Sequence, residues 1–191
     1  MQMSAIMLAA GLSRRIGEQD KLLLNYKGKT IFQHAVELLD CLPCCEKILV
    51  TTENRLSCID LPESVKPVIN LNPEIGQSES LRLGLKFATG EQYLFLNADQ
   101  PRLNITNLSP LLELARHDAD KIIYPTIEGM PCTPIIFPSR FRNDLLKQTG
   151  DAGGRAIRTS YPQFCLGLAV DNPFDFMDVD CLEDYEALCS L

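Results

Sequence analysis

The chain has 191 residues, 46% of them apolar and 23% charged, a profile of a folded globular protein rather than a disordered one. Its net charge of −7 argues against a broad nucleic-acid surface, and no apolar run approaches the roughly 20 residues that cross a bilayer. No basic patch followed by a long apolar stretch opens the sequence, so the chain is expected to be soluble and cytoplasmic, with no nucleic-acid or membrane partner. In chain order, Ala5–Ala9 is an apolar run of strand length that stops at Gly11. Thr30 is placed to cap a helix whose 3.6-residue stripe runs through Ile31, Ala35, Val36, Leu38 and Leu39. Strands follow at Lys47–Thr51 and Val65–Ile69. A helix carrying Leu81, Leu83, Leu85 and Phe87 is expected to be capped by Ser78 or Ser80 and closed by Gly90.

Tyr93–Leu96 is a buried-type strand ending at Asn97-Ala98-Asp99, and a helix through Leu108, Leu111, Leu112, Leu114 and Ala115 comes next. Ile122–Tyr124 and Ile135–Phe137 are strands separated by the turn residues Glu128-Gly129-Met130-Pro131. Two helical segments (Phe141 to Lys147 and Gly153 to Ser160), a strand-like stretch from Phe164 to Val170 and a helix from Leu182 to Leu188 complete the pattern. Continuous apolar strands alternating with helices imply a mostly parallel sheet covered on both faces. Without an internal repeat or a low-complexity linker, residues 1–191 read as a single α/β domain.

The eight cysteines suggest zinc, but Cys41 and Cys44 form an isolated Cys-x-x-Cys pair, and neither His34 nor His117 stands at ligand spacing from them. Reduced thiols are the expected state.

Ligands of open parallel sheets lie beyond the carboxyl ends of the strands. After the first strand come Leu8, Ala9, Ala10 and Gly11, then Arg14, Arg15 and Lys21. Small residues let a backbone approach a ligand closely, and its N–H groups can face phosphate oxygens. Arg15 and Lys21 would add charge where a triphosphate needs it. The alternative is a tight turn with surface cations, and the residues leave both open. Two familiar phosphate loops fail here. Ser13 stands where a dinucleotide fingerprint needs its second glycine, and Leu23 where a Walker loop ending at Gly28-Lys29-Thr30 needs its first. An oxidoreductase built on the dinucleotide fingerprint is therefore not expected.

The segment Leu8-Ala9-Ala10-Gly11-Leu12-Ser13-x-Arg15-x-Gly17, followed by Lys21, resembles the signature of the MobA-like nucleotidyltransferases, and within them the molybdenum cofactor cytidylyltransferase branch. Three later segments are similar to that family in the same order: Asn72-Pro73 with Gly76 to Leu81, Asn97-Ala98-Asp99-Gln100-Pro101, and Asp178-Val179-Asp180 through Tyr185. The resemblance implies a three-layer Rossmann-like sheet of the nucleotide-diphospho-sugar transferase type. It implies transfer of an NMP group, CMP first, from a nucleoside triphosphate to a phosphorylated acceptor such as molybdopterin, with Mg2+ as cofactor and pyrophosphate as product. Leu8, Ala9, Ala10, Gly11, Arg15, Lys21, Gly76, Ser78 and Ser80 are then the nucleotide-binding candidates. Arg15, Lys21 and Asp99 are the catalytic candidates, and Asp99 and Asp180 the metal ligands, with Asp178 as the alternative to Asp180.

Magnesium is a hard ion held by one or two carboxylates plus phosphate oxygens, which suits Asp99 at a strand end. Asp99 equally fits a loop residue shaping the turn before Pro101, and Asp178 and Asp180 an acidic helix start. Ser78 and Ser80 fit either base and ribose contacts or helix capping. Asp151 to Arg155 resembles an acceptor-side segment and fits a plain turn equally well.

Three positions depart from the family pattern: Ala98 in place of glycine, Cys132-Thr133-Pro134 in place of Gly-His-Pro, and Leu182 in place of proline. The second lies on the acceptor side and leaves the acceptor open. A sugar or alcohol phosphate acceptor is one alternative; a non-catalytic nucleotide-binding partner of a molybdoenzyme, or of its chaperone, is another.

Overall fold

The computed structural model describes residues 2–12, 19–150 and 154–190. The expected strands and helices form, together with several short elements that the pattern did not single out. Strand β1 (Met3–Ala9) leads to a hairpin of β2 (Asn25–Tyr26) and β3 (Lys29–Thr30), then to α1 (Ile31–Cys41), β4 (Glu46–Thr51), α2 (Glu53–Leu56) and β5 (Val65–Ile69). Next come α3 (Gln77–Phe87), β6 (Gln92–Asn97), α4 (Ile105–His117), β7 (Ile122–Ile127), β8 (Met130–Pro131) and β9 (Ile135–Pro138). The chain continues through α5 (Arg142–Leu146), α6 (Arg155–Ser160), β10 (Cys165–Ala169) and α7 (Leu182–Cys189).

The main sheet has the order β10-β7-β9-β6-β1-β4-β5, with β8 paired to β7. Strand β1 is parallel to both β4 and β6, β4 is parallel to β5, and β7 is parallel to β10. Strand β9 runs antiparallel between β6 and β7. Its hydrophobic run gives no sign of direction, because a buried strand is apolar on both faces whichever way it points.

Alternation along β1 sends Met3, Ala5, Met7 and Ala9 into one core with α1 and α4 residues, and Ile6 into the other with Leu81 and Leu85 of α3. This is the three-layer arrangement expected of two apolar sheet faces. Helix α3 lies very close to the sheet: a Cβ at Gly84 would run into Ile6 Cγ2 and lie 3.2 Å from Val50 Cγ2. Thr30 caps α1 as expected, with its hydroxyl accepting from Gln33 N–H at 3.1 Å and Gln33 Oε1 accepting from Thr30 N–H at 2.7 Å.

Two expectations at α3 need correction. Ser78 and Ser80 do not cap the helix; they lie inside its first turn, and Gly76 takes the capping position at φ 105°. That is left-handed territory in which a residue with a Cβ is strained. Gly90 does not close the helix, which ends on extended Ala88. Gly90 instead lies against β1, where it donates its N–H to Ser4 Oγ at 2.9 Å and a Cβ would come within 2.8 Å of Gln2 O.

Candidate functional site

The strand order reverses at β1, with β4 on one side and β6 on the other, and such a switch point opens a crevice at the carboxyl ends of the strands. A cleft of about 560 Å3 lies there. Among its lining are Leu8, Ala9, Ala10 and Gly11 from the end of β1, then Lys21, Gly76, Ser80 and Asp99, and finally Asp178 and Asp180. The fold thus gathers candidates from four separate segments of the chain.

Ser78 is not among the lining residues. It has no exposed surface, and its backbone N–H donates to Gly150 O at 3.0 Å, so in this conformation its hydroxyl is not presented to a ligand. Arg15 lies outside the described residues, as do Asp151, Ala152 and Gly153 of the acceptor-side segment.

Lys21 is the meeting point. Its Nζ lies 2.6 Å from Asp99 Oδ2 and 2.9 Å from Asp180 Oδ1, and its side chain is only 13% exposed. Burial works against the charge of this ammonium, but the attraction and hydrogen bonds of Asp99 and Asp180 outweigh it and raise the lysine pKa. Asp178 joins the same cluster. Burial, and then the neighbouring charges of Asp99 and Asp180, push its carboxyl up to about 7, while Lys21 pulls the other way. The Asp178–Asp180 segment is positioned by the chain around it: Val179 N–H donates to Asp99 O at 2.9 Å, and Asp184 Oδ2 accepts from the N–H groups of Asp180 and Cys181.

The carboxylates fit a divalent cation. Asp99 Oδ1 is buried without a hydrogen-bond partner, and the other oxygen already faces a cation, the Lys21 ammonium, that it shares with Asp180. Among the described residues no group of three or more His, Cys, Asp or Glu side chains converges as a ready-made metal site. Two carboxylates with the rest supplied by phosphate oxygens and water is a donor set that suits Mg2+.

Sequence reasoning missed two positioning residues. Arg55, from α2, is 5% exposed. Its Nη1 donates to Ala9 O at 2.6 Å, Nη2 to Gly11 O at 2.7 Å and to Asp20 Oδ1 at 2.9 Å, and Nε to Asp20 Oδ2 at 2.6 Å. One guanidinium therefore ties the end of β1 to the residue before Lys21. Because C=O and N–H of a trans peptide point opposite ways, Arg55 leaves the N–H groups of Ala10 and Leu12 facing away from itself. Asp20 also accepts from Leu22 N–H at 3.1 Å, which fixes the turn that carries Lys21.

Gln100 is the second. It is 3% exposed, and its Nε2 donates to Phe176 O at 2.8 Å and Thr133 O at 3.2 Å, joining the loop after β6 to the strand-side and C-terminal segments. No motif flags Arg55. Gln100 had a signal, its place directly after Asp99.

On the α3 side, Gln77 Nε2 donates to Asn97 Oδ1 at 3.1 Å, and Ser80 Oγ accepts from Asn70 Nδ2 at 3.0 Å. On the other side of Asp178 lies Cys132, whose thiol is pushed up to about 11 by burial and by the Asp178 charge, against the pull of Arg158. The Arg158 guanidinium lies 4.9 Å from the centre of the Tyr124 ring. All eight cysteines are free thiols.

Comparison with known proteins places this cleft in a family context. The profile of the MobA-like NTP transferase domain matches residues 5–164. A probable molybdenum cofactor guanylyltransferase of Rhodopirellula baltica is 29% identical over 123 residues, 62% of this chain and 58% of that protein. The chain spans little more than half the length of the first curated relatives it matches. Nicotine blue oxidoreductase of Paenarthrobacter nicotinovorans is 30% identical over 191 residues, 94% of this chain and 93% of that protein.

Among solved structures, Rv0371c of Mycobacterium tuberculosis in complex with manganese matches with a TM-score of 0.82 and 21% identity, covering 100% of this chain and 99% of that one. CMP:2-keto-3-deoxy-manno-octonic acid synthetase complexed with CTP matches with a TM-score of 0.74 and 14% identity, covering 100% and 98%. The fold is that of the nucleotide-diphospho-sugar transferases. Among the described residues no helix is long and apolar enough to cross a membrane.

Proposed function

The chain belongs to the MobA-like NTP transferase family, and from that premise we propose that it is a magnesium-dependent nucleotidyltransferase. It moves an NMP group, CMP first among the candidates, from a nucleoside triphosphate to a phosphorylated acceptor of the molybdopterin kind. The observation that supports this best is the convergence of Lys21, Asp99 and Asp180, drawn from both ends of the chain, beside the small-residue turn Ala9–Gly11.

The reaction is an in-line displacement. An oxygen of the acceptor phosphate forms a bond to the α-phosphorus, and the bond from that phosphorus to the bridging oxygen breaks, releasing pyrophosphate with its electron pair. The acceptor oxygen is already anionic, so no side chain has to remove a proton from it. Positioning and charge neutralisation carry such transfers. Ala10 and Leu12 N–H groups, turned away from Arg55, are assigned to the phosphates; Lys21, kept cationic by its neighbours, adds charge; Gly76 permits close approach. Ser80, with Gln77 and Asn97, faces the base and ribose. A divalent cation held by Asp99 and Asp180 would neutralise phosphate charge beside the α-phosphorus.

CTP follows from the motif resemblance. Relatives named guanylyltransferase make GTP the competitor. A thermal-shift screen of CTP, GTP, ATP and UTP with Mg2+ tests this. A ligand at 100 times its Kd adds about 2.7 kcal/mol, several degrees for a chain of this size. The expected order puts CTP first; a larger shift with GTP moves the chain to the guanylyl branch.

The full-length relative named an oxidoreductase favours a second reading, redox chemistry on the same fold. Pyrophosphate release from the stabilising triphosphate, in the presence of molybdopterin or a sugar phosphate, separates the readings. Binding of the triphosphate without pyrophosphate release, whichever acceptor is offered, marks instead a nucleotide-binding partner of a molybdoenzyme.

A further inference from the structure

Lys21 and a divalent cation need the same two carboxylates. The ammonium already makes both short contacts, to Asp99 Oδ2 and Asp180 Oδ1, on a side chain that is largely buried. A second cation cannot join it there without like-charge repulsion at close range. The backbone under Lys21 is fixed, since Asp20 caps the turn and Arg55 holds Asp20 through both of its oxygens. The four-carbon stem above that anchor is the movable part. The turn Ala9–Leu12 lies on the wall of the same cleft, so a phosphate chain there offers the ammonium new partners within the site.

We propose that Lys21 acts as a resident counter-ion that must be exchanged, so that the protein takes up a metal–triphosphate complex and discriminates against free divalent cation. This rests on the transferase reading of the cleft. A bare cation displaces Lys21 from Asp99 and Asp180 and leaves the ammonium in a half-buried place without its partners. A cation arriving with a triphosphate brings the acceptors to which Lys21 moves. Binding of metal and of triphosphate is therefore coupled through one side chain, and such coupling is reciprocal.

The test titrates Mn2+ alone, followed calorimetrically, into the wild-type chain, Lys21→Met and Lys21→Met/Asp99→Asn. Removing the competing charge is expected to tighten Mn2+ on the order of tenfold or more in Lys21→Met. Adding Asp99→Asn is expected to abolish the gain, which locates the ion at that carboxylate. Equal or weaker Mn2+ binding by Lys21→Met overturns the exchange.

A second measurement needs no variant. Acylation of Lys21 in the wild-type chain, read by mass spectrometry, is expected to rise as Mg2+ alone is added until the melting temperature stops shifting, with exposed Lys27 and Lys29 as references. Labelling that stays flat through that titration overturns the proposal as well. Failure of the transferase reading shows elsewhere, as no pyrophosphate from any triphosphate, and leaves the Mn2+ comparison intact.

Discussion

The two halves of the sheet are built differently at their ligand-facing ends. Where β1, β4 and β6 end, the two cations are held by designated partners: Lys21 between Asp99 and Asp180, Arg55 on Asp20 and two carbonyls. The strands there run parallel, and the charges are held by contacts far apart in sequence. Where β7 and β10 lie beside the reversed β9, a cation lies over a ring instead, Arg158 over Tyr124. An ion pair with fixed hydrogen bonds specifies one geometry, whereas a cation over a ring tolerates several at about 0.5–1 kcal/mol when exposed. On the proposed reading, the first half is preorganised for phosphate and metal. The second is a more adaptable surface, and it is also where Cys132 and Thr133 depart from the family pattern.

This contrast is broken most sharply by removing a charge from the first half. Asp99→Asn is expected to lower the rate of pyrophosphate release by about 10²–10³ or more, the scale of a lost electrostatic contact to a transition state. The fold should survive, because asparagine fills the same volume and the Val179 N–H bond is made to the Asp99 carbonyl, not to its side chain. Near-native turnover with an unchanged melting curve would remove Asp99 from the site.

Arg55→Ala comes next. It removes the buried guanidinium that bridges the Asp20 carboxylate and the carbonyls of Ala9 and Gly11, so a loss of about 3 kcal/mol in chemical denaturation is expected, together with weaker triphosphate binding. Arg55→Lys should recover little, since one ammonium cannot span four acceptors that a planar guanidinium reaches. Full recovery by lysine would show that charge, not the fork, holds the turn.

What the sequence discloses follows the same division. Alternating apolar strands and helices announce the layered fold, and Thr30 with Gln33 announces the start of α1, because these signals are local. Asp99, Lys21 and Asp180 could be nominated from motif order, but their meeting depends on β1 lying beside β6 and on the Val179 N–H reaching Asp99. Arg55 was invisible: a single arginine in a four-residue helix carries no pattern, and its partners are more than 30 residues away. Ser78 reads as a cap because a serine beside a helix start favours capping, whereas a glycine at φ 105° takes that position. The reversal of β9 was equally hidden, as direction leaves no mark on a run of isoleucines and phenylalanine.

Arg158→Ala gives the smallest expected effect and the sharpest test of the division between the halves. The guanidinium stacks on Tyr124, and it acts on the Cys132 thiol, which also feels Asp178. Loss of a partly exposed stack of this kind changes stability by about 1 kcal/mol. Triphosphate affinity should not change, because Arg158 is not among the residues lining the cleft that holds Lys21 and Asp99. If the adaptable half receives the phosphorylated acceptor, the loss appears in the KM for that acceptor, with the KM for the triphosphate held constant. Parallel increases in both KM values would mean that the two halves are one continuous site, and the contrast between a fixed nucleotide end and an adaptable acceptor end would have to be given up.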